Sequence, residues 1–176
     1  MFEDESGFSL VSPLKRTWAP KGQPPIVYPS LSHSVRLHLL GALLVSPAGI
    51  KLRLRVNSHP SNLRGEEVLA FLAHLLQHVA GPLILVWDKH PIHQRKTVQD
   101  FVARHPRLHV YTLPTGAPEL NPAEGIWSQV AEYLAGTVPR TREELQANVF
   151  AGVARIRKSQ RRLRACLSGS HLPWNH

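Results

Sequence analysis

Apolar positions divide the chain into segments of two periods, one suited to strands and the other to helices. Leu83-Ile84-Leu85-Val86-Trp87 is an unbroken apolar run closed by Asp88 and then Pro91, which predicts a buried strand. Met1 to Ser6 predicts a short strand start, and Val35 to Val45 with Ile50 to Val56 predict two more. The turn Ser46-Pro47-Ala48-Gly49 would join that last pair as an antiparallel hairpin. Leu52, Leu54 and Val56 alternate with Lys51, Arg53 and Arg55, so three cations share a face that is wet or meets anions. Between Asn62 and Val79 the apolar residues Val68, Leu69, Leu72, Leu75, Leu76 and Val79 recur at helical spacing, and Gly81-Pro82 ends the helix. A helix from about His93 to Arg104 ends before Pro106, and Leu108 to Leu113 predicts another strand. Helices follow from Pro122 to about Leu134 and from about Thr141 to Leu167. Leu14 to Tyr28, which holds Trp18, Pro20, Gly22, Pro24 and Pro25, predicts a hairpin with an irregular arm. The resulting order, β-β-β-α-β-α-β-α-α, defines a mixed α/β class.

At 176 residues and 43% apolar composition the chain suffices for one domain with a sizeable core. No run approaches the roughly 18 apolar residues of a membrane span, since Leu37 to Ile50 is interrupted by His38, Ser46 and Pro47. The acidic N-terminus lacks an apolar leader, so no secretory signal is expected. A single cysteine, Cys166, excludes an internal disulfide framework and a Cys-cluster zinc site, which favours the cytoplasm. Charge changes the picture more. Lys and Arg number 21 against 12 acids, a net +9, which points to nucleic acid or another polyanion, the alternative being a generally basic soluble protein.

Three acids then stand out by position. Asp88 ends the apolar strand, where open α/β sheets place their chemistry. Glu124 lies 36 positions later (124 − 88), room for a helix, a strand and a returning loop, and it opens a helix after a Pro-rich turn. In the first strand Asp4 shares a face with Phe2, and Glu3 and Glu5 share the other; periodicity does not choose between the faces. Carboxylates from separate elements are what hard divalent cations require, and two ions roughly 3.5 to 4 Å apart serve phosphodiester cleavage. Structural readings stand beside this one. Asn121, Pro122 and Glu124 fit the N-cap, N1 and N3 positions of a capping box. Asp88 could cap the following helix, and Asp88, His90 and His93 could form a transition-metal site. Arg155, Arg157, Lys158, Arg161, Arg162 and Arg164 put six cations in ten residues, around a stripe of Val149, Val153, Ile156 and Leu163. That face could hold DNA backbone or simply be solvated. Lys15, Arg16 and Lys21 flank Trp18, whose ring could stack on an unpaired base or be buried. Trp127 is read as core.

The stretch from Leu83 to Glu124 resembles the catalytic half of the DDE transposases, in particular the mariner-like bacterial insertion-sequence branch. In that family a strand ending in Asp precedes a polar run with a His, and a segment of the form P-x-x-x-P-E-L-N-P-x-E carries the last acid. Here that segment is Pro114 to Glu124, followed by Gly125-Ile126-Trp127-Ser128. Phe2-Glu3-Asp4-Glu5-Ser6-Gly7-Phe8 and Arg16-Thr17-Trp18-Ala19-Pro20-Lys21-Gly22 resemble the first acidic strand and the W-x-x-x-G hairpin. The resemblance implies a ribonuclease-H-like mixed sheet flanked by helices. It also implies a single catalytic domain over 1–176, without the family's N-terminal helix-turn-helix region, as in a truncated or split-frame product. Asp4, Asp88 and Glu124 would be the catalytic and metal-binding residues, holding two Mg²⁺ ions or Mn²⁺ in their place, for DNA strand cleavage and transfer by direct transesterification. Implied partners are element-end and target DNA, further copies of the chain on that DNA, and a helix-turn-helix polypeptide. Implied location is the nucleoid. Lys89 stands where the family commonly has Asn, suited to a phosphate contact or to weakening the metal site. His93 matches a recurrent His and is expected at a helix start or on DNA. Another ribonuclease-H-like nuclease and a catalytically dead DNA-binding remnant are the alternatives.

Overall fold

The computed structural model describes residues 1–11, 19–23, 26, 35–48, 51–135 and 137–173. Five strands form one sheet in the order β3-β2-β1-β4-β5, with β1 at Phe2–Ser9, β2 at Arg36–Val45, β3 at Leu52–His59, β4 at Leu83–Trp87 and β5 at Leu108–Thr112. The hairpin partners β2 and β3 run antiparallel, and β1 lies antiparallel to β2 with Asp4 opposite Gly41. On its other side β1 pairs in parallel with β4, and β4 in parallel with β5. The middle strand is therefore β1, and the apolar run of β4 lies beside it.

Two helical layers cover the sheet, whose strand β2 in particular is buried on both faces. On one face α1 (Gly65–His78) and α2 (Lys96–Ala103) pack Val68, Phe71, Leu72, Leu75 and Val98 against Leu40, Ala42, Leu85 and Trp87. On the other, α3 (Glu124–Leu134), α4 (Arg142–Arg157) and α5 (Gln160–Gly169) pack Ile126, Trp127, Val130, Val149, Val153 and Leu163 against Phe2, Leu39, Leu43, Leu52 and Leu54. Arg53 and Arg55 are exposed between buried Leu52, Leu54 and Val56, as the alternation predicts.

Three expectations are corrected. The single helix from Thr141 to Leu167 is two, broken at Lys158–Ser159, where the Ser159 hydroxyl caps α5 by accepting from the Arg162 amide. The five-residue strand β4 is not buried throughout, since Ile84 is 55% exposed; the α3–α5 layer packs on β1, β2 and β3 and leaves that side of the β4–β5 margin, with Tyr111, open. Helix α2 begins three residues late because a turn over Pro91–Gln94, with the Gln94 amide donating to the Pro91 carbonyl, occupies its expected first turn. No helix among the described residues is long and apolar enough to cross a membrane.

Candidate active site

Three elements deliver one acid each to a common cleft. Asp4 comes from the middle strand, Asp88 follows the last residue of the neighbouring parallel strand, and Glu124 is the first residue of α3. Two adjoining cavities of about 260 and 480 Å³ share Asp4, Asp88, His90 and Glu124 in their walls. Lys89 and the loop from Leu113 to Pro118 complete the smaller one. The Asp88 carboxylate accepts from the His90 amide at 2.8 Å, which turns the chain sharply out of β4.

Asp4 is only 7% exposed. Its Oδ2 accepts a hydrogen bond from the Trp127 indole Nε1 at 3.0 Å. Burial, then the charges of Glu124 and Glu5, push its carboxyl up to about 8, with Asp88 adding less and the indole hydrogen bond opposing the shift. Partial burial, and after it Asp88, also raises Glu124. The neighbouring carboxylate charges thus disfavour ionisation of Asp4 and Glu124. A divalent cation reverses that relation, because its charge stabilises the ionised carboxylates that bind it. The donor set, all oxygen and three carboxylates, is of the kind hard cations take.

The position of Trp127 depends on a glycine. A Cβ on Gly41 would lie 2.6 Å from the Trp127 ring carbons, so only glycine opposite Asp4 leaves room for the indole that bonds to it. Sequence reasoning assigned Trp127 to the core and passed over Gly41. Trp127 is indeed 5% exposed, and its function as a donor depends on a partner 123 residues away. The capping-box reading of Glu124 does not hold. The Asn121 amide donates to the Pro118 carbonyl at 2.8 Å and not to the Glu124 carboxylate, so the reciprocal bond of a capping box is missing. Asn121 instead accepts from the Ala123 amide through Oδ1 and donates through Nδ2 to the Glu3 carbonyl at 3.1 Å, tying the turn to β1.

The expected nucleic-acid contacts separate. Lys15, Arg16 and Trp18 lie outside the described residues, and Lys21 is exposed on a turn where the Gln23 amide bonds to the Pro20 carbonyl. Lys89 is exposed on the cleft wall. Arg155, Arg157, Lys158 and Arg161 are exposed around the α4–α5 junction, and Arg162 is half-buried, donating to the Gln129 side chain at 3.2 Å. His93 is corrected as a DNA contact. It is 2% exposed and stacks on Trp87 with ring centroids 4.1 Å apart. Nor do Asp88, His90 and His93 make a set of their own, because His90 is exposed and His93 turns toward Glu3 and Glu5.

The family model described as DDE superfamily endonuclease matches residues 1–146. No curated protein matches the sequence. Among solved structures, the chain is similar to the Mos1 transposase paired-end complex with left transposon end (16% identity, TM-score 0.58), covering 96% of this chain and 55% of that one. It is similar to the mariner Mos1 paired-end complex with Mg (15% identity, TM-score 0.57, 98% and 56% covered). It is also similar to the catalytic domain of Mos1 mariner transposase (12% identity, TM-score 0.53), covering 97% of this chain and 82% of that one. The fold is thus that of the ribonuclease-H-like transposase catalytic domains, and the chain spans about half the length of the Mos1 chains in those complexes.

Proposed function

This chain belongs to the DDE superfamily endonuclease family, and from that premise we propose that it is the catalytic domain of an insertion-sequence transposase, cutting DNA strands and joining them to a target. One observation carries the reading. Asp4, Asp88 and Glu124, far apart in sequence and borne on three elements, line one cleft together.

In this reading the three carboxylates hold Mg²⁺, the ion named for one of the similar Mos1 complexes. Such ions, when bound, polarise a phosphodiester and lower the pKa of water. The chain's own residues prepare that chemistry. The Trp127 indole fixes the rotation of the Asp4 carboxylate and favours its ionised form. The His90 amide likewise fixes the rotation of the Asp88 carboxylate. Asn121, bonded to the β1 backbone, sets the distance at which α3 presents Glu124. The helix's positive end favours a charged carboxylate there. Lys89 on the cleft wall is placed to take a DNA phosphate, and the cations of the α4–α5 junction would follow the backbone beyond it.

DNA ends and target DNA are the substrates, and copies of the chain would assemble on them, as the paired-end complexes of Mos1 suggest. Recognition of the ends is assigned to a helix-turn-helix segment, in the same polypeptide or a partner, and the location to the nucleoid. The decisive experiment compares Mg²⁺- or Mn²⁺-dependent nicking and strand joining by wild type, Asp88→Asn and Glu124→Gln. Loss of both products in both variants is expected, and equal activity in all three would remove the assignment. Nicks without joined product would indicate a ribonuclease-H-like nuclease in place of a transposase.

A further inference from the structure

Behind Asp4, on the opposite face of β1, lies a second group of ligand atoms. Glu3 and Glu5 point toward the α1–α2 layer, where they meet the buried ring of His93. Its Nε2 is 3.6 Å from Glu3 Oε2, 3.3 Å from Glu5 Oε1 and 3.5 Å from Asp88 Oδ1. Glu3 is 1% exposed and His93 2%. Both Glu3 oxygens, Glu5 Oε1 and both His93 nitrogens lack a hydrogen-bond partner among the described residues. Native interiors rarely leave such groups unsatisfied, and a carboxylate buried without a partner is among the costliest cases.

The distances explain what the group could do. They are long for hydrogen bonds between an imidazole and a carboxylate. The distances from His93 to Glu3 and Glu5 do suit two edges of a tetrahedron around an ion with bonds of roughly 2.0 to 2.1 Å, whose ligand atoms stand about 3.3 to 3.4 Å apart. Octahedral Mg²⁺ at the same bond length would draw adjacent ligands to about 3.0 Å and takes oxygen in preference to imidazole nitrogen. The ring is also held in advance. It stacks on Trp87 at an interplanar angle of 15°, the His93 amide donates to the His90 carbonyl at 3.0 Å, and the Gln99 side chain donates to the His93 carbonyl at 2.7 Å. Glu3, Glu5 and His93 each offer one ligand atom, all within 4.8 Å of one another.

We propose that Glu3, Glu5 and His93 form a second, three-ligand cation site that takes a borderline transition metal of the Zn²⁺ class. The site lies on the opposite face of β1 from Asp4 and adjoins the cleft at Glu5, which lines it together with Asp4, Asp88 and Glu124. It stands whether or not the chain cuts DNA. With a metal in place one buried atom each of Glu3, Glu5 and His93 gains a partner, and the strand bearing Asp4 is tied to the turn that carries His93.

Co²⁺ alone is the probe, since its four-coordinate complexes absorb strongly in the visible and its six-coordinate ones weakly. The protein is stripped with chelator, in a His74→Ala background that removes the exposed, adjacent His74 and His78 rings from competition. One equivalent of Co²⁺ should develop the strong band, Zn²⁺ should quench it stoichiometrically, and excess Mg²⁺ should leave it in place. His93→Gln should weaken binding by at least about 100-fold, the upper end of what even outer-shell changes cost, while Glu124→Gln should retain it. Absence of the band, a band indifferent to His93→Gln, or one abolished by Glu124→Gln would each overturn the proposal. Should His93→Gln fail to fold, X-ray absorption of the unsubstituted protein with one Zn²⁺ decides: one imidazole among oxygens supports the site, and an all-oxygen or multi-imidazole shell sinks it.

Discussion

Asp4 shows how much a single side chain depends on its surroundings. Its only hydrogen-bond donor among the described residues is the Trp127 indole, and that bond works against burial and three neighbouring acids. Trp127→Phe keeps most of the apolar volume and removes the donor. A hydrogen bond to a charged group contributes roughly 1.5 to 3 kcal/mol, so metal-dependent cleavage should fall by about 10- to 100-fold and the acid limb of its pH profile should move to higher pH. A variant with an unmoved pH profile would show that the indole only fills space. The pH dependence has a definite sign. The folded state binds the Asp4 proton more tightly than the unfolded chain, so this group's stabilisation is full below about 4 and is lost as pH rises through about 8. Under the proposed assignment of Asp4 as a metal ligand, Mg²⁺ displaces that proton. Its stabilisation in a thermal melt should therefore be larger at pH 8.5 than at pH 6, with affinity dropping up to about tenfold per pH unit below 8. At this scale the acids themselves were legible in sequence, because strand-end and helix-start positions leave a pattern. The Trp127 donor, the Gly41 opposite it and the inward turn of His93 were not, since each exists only through a partner brought near by folding.

At the scale of elements, strand β2 and helix α3 meet closely enough for one atom to matter. Gly41→Ala places a methyl group 2.6 Å from the Trp127 ring. Overpacking of this kind costs about 1 to 3 kcal/mol, so the denaturation midpoint should drop, and activity with it as the indole is pushed from Asp4. Full activity at reduced stability would separate the two effects and disprove the link. The break between α4 and α5 is a second local device. Ser159→Ala removes the α5 cap and should cost about 1 kcal/mol, read from urea melts. Strands and helices were mostly legible because apolar periodicity reports burial directly. The α4–α5 break was missed because Lys158–Ser159 interrupts no apolar stripe: Val149, Val153, Ile156 and Leu163 are buried on both sides of it. The exposure of Ile84 was missed for a related reason, as composition says nothing of where a covering layer ends.

For the molecule as a whole, the +9 charge is unevenly spread, and the exposed cations at the α4–α5 junction form its densest run. If they track duplex backbone, replacing Arg157, Lys158 and Arg161 together with Ala should flatten the plot of log affinity against log salt by roughly 3, at about 0.9 per phosphate contact. An unchanged slope in fluorescence anisotropy would move the binding surface elsewhere. The sheet order belongs to this scale too, and the sequence predicted a mixed sheet without showing that the first strand occupies its middle. That arrangement has a consequence for how the protein comes into being. Synthesis supplies the carboxylates one after another, at 4, 88 and 124, and Asn121 must return to the backbone of Glu3 before the last is in place. A nascent polypeptide released early from the ribosome, short of α3, carries Asp4 and Asp88 but lacks Glu124 and the helical layer that covers one face of the sheet. On the proposed reading such a product would hold metal incompletely and cut no DNA, so early termination would spare the genome that encodes it.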